Sequence, residues 1–177
     1  MREQRIGSTI GAIFGVVFIL VNAGAFTAPW GLVVRVAGVA VFAAALWFGV
    51  VRAPHSTAGE PAPGANRTYG LAVLAEVVAI LGGAVVFNLL DLARLVLPWV
   101  VIVVGLHFLP FATAFAAPQF RPLAWILIAV GVIGGILTWL VHDVASPVTG
   151  VVAGFVLLAF AAYGARGVHP AMSRTRN

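Results

Sequence analysis

The chain has 177 residues, 62% of them apolar and 8% charged, with a formal net charge of +5 and a mean hydropathy of +1.11. A soluble domain is about half apolar and a quarter charged, so a soluble globular domain, a disordered chain and a disulfide scaffold are excluded. The expectation is an all-α polytopic integral membrane protein, a single membrane domain over residues 1–177.

Six apolar runs approach the roughly 20 residues that a helix needs to cross a bilayer. They lie at about 6–26, 30–51, 69–90, 95–116, 123–141 and 148–165. They are continuous rather than alternating, which argues against a β-barrel. The first run follows Arg2 and Arg5 and ends in Ala23-Gly24-Ala25, a pattern that resembles a signal peptide. It is long for the apolar part of such a peptide and is read as a retained helix. It also carries Gly7, Gly11 and Gly15 at four-residue spacing, which lets another helix backbone approach closely.

The second run opens at Pro29-Trp30 and holds Arg35, about 7–8 Å below Trp30 at 1.5 Å per residue. Residues 53–68, with Pro54, Gly59, Pro61, Pro63 and Gly64, read as a flexible cytoplasmic loop. That loop divides the chain into two spans and four. Asn66-Arg67-Thr68 within it fits a glycosylation pattern but carries no weight on the cytoplasmic side. The third run contains Glu76; the fourth contains Pro98-Trp99, His107 and Pro110. Pro29-Trp30 and Pro98-Trp99, preceded by Asn22 and Asn88, are either a weak hairpin repeat or two ordinary helix starts. The fifth and sixth runs repeat the small-residue spacing at Gly131 and Gly135 and at Gly150 and Gly154. The remaining connections are short, so sequential spans should pack as antiparallel neighbours in a six-helix bundle.

All ten basic residues are arginine. With the N-terminus inside, eight of them flank the spans on the cytoplasmic side: Arg2, Arg5, Arg52, Arg67, Arg121, Arg166, Arg174 and Arg176. Arg35 and Arg94 are on the other side. This bias places both termini in the cytoplasm and suits a bacterial-type plasma (inner) membrane. It also accounts for the basic charge without nucleic acid as a partner. Trp30, Trp99 and Trp139 fall near the outer interface, with Trp47 and Trp125 nearer the inner one, as an aromatic belt.

Two ionisable residues lie deep in the spans. A charge at the centre of a membrane helix costs about 2.5–3.5 kcal/mol on insertion scales, so each needs a reason to be there. Glu76 shares a helix face with Ala72, Ala79, Ile80 and Gly83. The third and fourth runs form a hairpin turning near residues 91–94, which sets Glu76 level with about residue 109, roughly 3 Å along the axis from His107. If the two face each other, they can share or relay a proton. Pro110 leaves the Leu106 carbonyl without its helical donor, which would open the helix beside His107. The alternative is a satisfied core histidine at a structural kink. An outer polar set comprises Asn22, Arg35, Asn88, Asp91, Arg94, His142 and Asp143. Most of it is explained by solvation, except Arg35, which lies inside a span.

The sequence has no lysine for a Schiff base and no cysteine for thiol or zinc chemistry. It has no HExxH and no GxSxG. No catalytic residue, cofactor or metal is therefore expected, and the protein is not expected to be an enzyme. The expected function is transport of a small solute or ion, proton-coupled through Glu76 and His107, with Arg35 as an outer gate or counter-ion. The alternative is a non-transport accessory, sensor or lipid-binding scaffold. The expected partners are the lipid bilayer, a small solute or ion, and a second copy of the chain in a homo-oligomer.

Overall fold

The computed structural model describes residues 2–48, 63–141 and 144–164. It is all-α, with no strand among the described residues. Its helices are α1 (Arg2–Asn22), α2 (Trp30–Leu46), α3 (Ala65–Leu89), α4 (Val96–Ala114), α5 (Phe120–Val141) and α6 (Ala145–Gly164). Short 3₁₀ turns follow α1 at Ala23–Ala25 and precede α4 at Ala93–Leu95. Four helical stretches are long and apolar enough to cross a membrane: Ala65–Leu89, Ala93–Ala114, Phe120–Val141 and Ala145–Ala162. Thr9–Ala25 and Trp30–Leu46 are apolar but shorter.

The start of α3 departs from the sequence expectation. Asn66, Arg67 and Thr68 form its first turn and are not part of the loop. Gly64, at φ 84°, reverses the chain in the left-handed region. Its carbonyl then accepts from the Arg67 and Thr68 amides, both at 3.0 Å, so helix begins as soon as the last glycine is passed.

The helix α6 is the centre of the bundle. One buried cluster joins it to α1 and α2 through Ala12, Ile19, Ala45, Leu158 and Ala161. A second joins it to α4 and α5 through Val101, Leu123, Leu127, Ala153 and Leu157. Lipid gives apolar side chains no reason to leave it for each other, so the helices must gain from close contact. Glycine supplies that contact. A Cβ on Gly15 would lie 2.9 Å from the Gly154 carbonyl oxygen, and one on Gly154 would lie 2.6 Å from that of Gly15. Between α4 and α5, a Cβ on Gly105 would meet the Ala124 carbonyl at 2.9 Å, and one on Gly131 the Pro98 carbonyl at 2.8 Å. Three of the four ridge glycines on α5 and α6 thus touch a neighbouring helix closely. Gly11 on α1 has open space around it instead.

The helix α3 is different. Its packing partner is α4, with the turn between them, and Ala65 is its only buried residue. Leu74, Val78, Leu81 and Val85 are exposed, as lipid-facing residues of a peripheral span would be. A groove of about 400 Å³ runs between α4 and α5 and reaches Phe87 at the end of α3.

Candidate functional site

The site is built on the α3–α4 seam. Tyr69, Glu76 and Gly83 are seven residues apart and fall on one face of α3. The facing side of α4 carries Trp99, His107 and Phe111, and Phe115 caps its end. At the end nearer the α3–α4 turn, the Trp99 indole N–H donates to the Ala79 carbonyl at 2.8 Å. The ring occupies the space a side chain at Gly83 would fill and meets Phe87 edge-on at 6.2 Å. At the other end, Tyr69 stacks on Phe111 at 5.3 Å and meets Phe115 edge-on at 6.4 Å.

Glu76 and His107 lie between these two aromatic contacts. Oε2 of Glu76 is 3.1 Å from Nδ1 of His107. The side chains are 21% and 11% exposed respectively, so the pair is largely shielded but not sealed. The two atoms are close without being aligned, and Nδ1 has no well-directed hydrogen-bond partner. The imidazole is wedged edge-on against Phe111, with ring centres 4.3 Å apart. A carboxylate and an imidazole at this distance can hold a proton between them once the N–H points at the oxygen. The helix α4 continues through Pro110, whose carbonyl accepts from the Thr113 hydroxyl at 2.9 Å.

The polar residues expected to form an outer set are dispersed. Asn22 and Asn88 each donate to a carbonyl of their own helix, Phe18 at 2.8 Å and Ala84 at 2.7 Å. Asn22 also packs against Gly150. Arg35 is exposed and folds back so that its guanidinium lies beside Gly24 in the turn after α1. Asp91 is exposed at φ 57° in the α3–α4 turn. Arg94 lies over the Trp139 ring, 5.6 Å from its centre. Among the described residues, no hydrogen bond or ion pair links any two members of this set. His142 and Asp143 lie outside the described residues. No group of three His, Asp or Glu among the described residues is placed to hold a metal.

Trp99 has a place in the seam that membership of an interfacial belt does not explain. The available signal was the small-residue face at Ala79 and Gly83, which an indole can fill. For the Tyr69–Phe111–Phe115 cluster the corresponding signal is the spacing that Tyr69 shares with Glu76 and Gly83. No family model, curated protein or solved structure matches this chain.

Proposed function

We propose that the protein crosses the membrane six times with both termini in the cytoplasm, and that it moves a small solute or ion coupled to protons through Glu76 and His107. The observation that supports this reading is their 3.1 Å contact on a seam that is otherwise apolar and aromatic. Ionisable residues at membrane depth are costly and mark proton and ion pathways by default. Tyr69, 47% exposed, stands two helical turns from Glu76 towards the start of α3, on the side from which a cytoplasmic proton would come. Arg35, folded against Gly24, serves better as an interfacial anchor than as a gate.

Flux in proteoliposomes tests the reading. Wild-type vesicles should show solute or ion uptake that depends on an imposed pH gradient. Glu76→Gln should lose that dependence, and His107→Gln should weaken it. Uptake insensitive to Glu76→Gln would remove the carboxylate from the mechanism. Topology is tested separately, since the sequence contains no cysteine and single cysteines can be introduced on a clean background. A cysteine at Ser56 should be labelled only from the cytoplasmic side, and one at Asp91 only from the other.

A second reading, a non-transport accessory, sensor or lipid-binding scaffold, is favoured by the groove between α4 and α5. Every residue that lines it is apolar or glycine.

A further inference from the structure

We propose that the α4–α5 groove binds one anionic phospholipid from the leaflet beside the α3–α4 turn, with an acyl chain along the groove and the phosphate on Arg94. The proposal holds whether or not the protein transports, and its failure leaves the Glu76–His107 reading intact.

The shape of the groove fits an extended chain. One wall is a continuous face of α5 from Gly131 to Leu140, about 13 Å along the axis at 1.5 Å per residue. The other wall is α4 from Leu95 to Ile102. Both walls run along the helix axes, as the lipid tails around a spanning bundle do. At Gly135 the floor of the groove is bounded by Pro98, 3.6 Å from where a Cβ would stand.

Charge identifies the headgroup. Trp139 lines the groove, and Arg94 lies over its ring at the end next to the α3–α4 turn. The Arg94 Nε is buried with no hydrogen-bond acceptor. Among the described residues, the sole ion pair is Glu76 with His107, so Arg94 has no carboxylate partner there. Asp91 shares the turn but is exposed and makes no ion pair with it. The guanidinium therefore carries an unsatisfied donor beside one end of an apolar slot, and its planar fork matches a phosphate. A zwitterionic headgroup brings its own ammonium near Arg94 and gains less. The same chemistry holds anionic headgroups in the basic pockets found between membrane helices on the cytoplasmic side.

The test uses the full chain in nanodiscs of equal phosphatidylglycerol and phosphatidylcholine, extracted into mild detergent and weighed intact by mass spectrometry. One lipid per chain should remain, with phosphatidylglycerol favoured about tenfold, the size of one charge-assisted hydrogen bond. Arg94→Gln should still retain a lipid but without the preference, and Arg94→Lys should restore part of it. Val132→Trp, which fills the groove from its open side, should retain neither lipid. If that variant does not fold, the Arg94 pair decides alone. Equal retention of both lipids by the wild type, or an undiminished preference in Arg94→Gln, would overturn the proposal. So would a dimer without lipid that Val132→Trp dissociates, since the groove would then hold a second copy.

Discussion

The α1–α6 contact and the α3–α4 contact join helices of the bundle by opposite means. In the first, Gly15 and Gly154 bring two backbones together, and the surrounding cluster is Ala, Ile and Leu. In the second, an indole bond, a carboxylate–imidazole pair and stacked rings carry the seam. Close backbone packing is insensitive to pH, whereas a seam held by ionisable groups changes strength when a proton arrives or leaves. The bundle thus combines a fixed core around α6 with a peripheral helix, α3, whose attachment can respond.

The largest effect should come from closing the glycine contact. Gly154→Leu forces a side chain against the Gly15 backbone and should cost about 3 kcal/mol, the upper end of overpacking penalties, measured by unfolding in mixed micelles. It should leave the coupling between Glu76 and His107 unchanged, and loss of that coupling would show that the two regions are not separable. Next in size is the pair itself. A double-mutant cycle with Glu76→Gln and His107→Gln should give a coupling of about 1.5 kcal/mol, near the upper end of such cycles between membrane helices. That coupling should vary with pH, and a flat profile would put the responsiveness of the seam elsewhere. Smallest is Trp99→Phe, which keeps an aromatic ring but removes the bond to Ala79. It should cost about 1 kcal/mol and raise protease or label access along α3 while leaving the α1–α6 region untouched.

The positions of the helices were legible because a stretch of about 20 apolar residues leaves little choice in lipid. The shared depth of Glu76 and His107 was legible for a related reason, since a short turn fixes which residues of two antiparallel helices stand level. The direction each side chain faces was not legible. In a soluble helix the apolar stripe marks the buried face, but α3 is apolar nearly all round, so its pattern does not point to α4. Trp99 illustrates the cost, because an indole near a span end looks the same whether it faces headgroups or fills the notch at Gly83. Depth alone puts Asn22 and Asn88 with the other polar residues near the helix ends. Asn22 and Asn88 instead satisfy themselves on carbonyls four residues back, a local option that sequence depth does not weigh.

Of the five tryptophans, Trp30, Trp47, Trp125 and Trp139 are each at least half exposed, whereas Trp99 is partly buried with its N–H committed to α3. The chain therefore carries a native optical gauge. A spectral shift that survives replacement of the other four indoles by phenylalanine would follow the docking of a single helix in real time, without any attached dye.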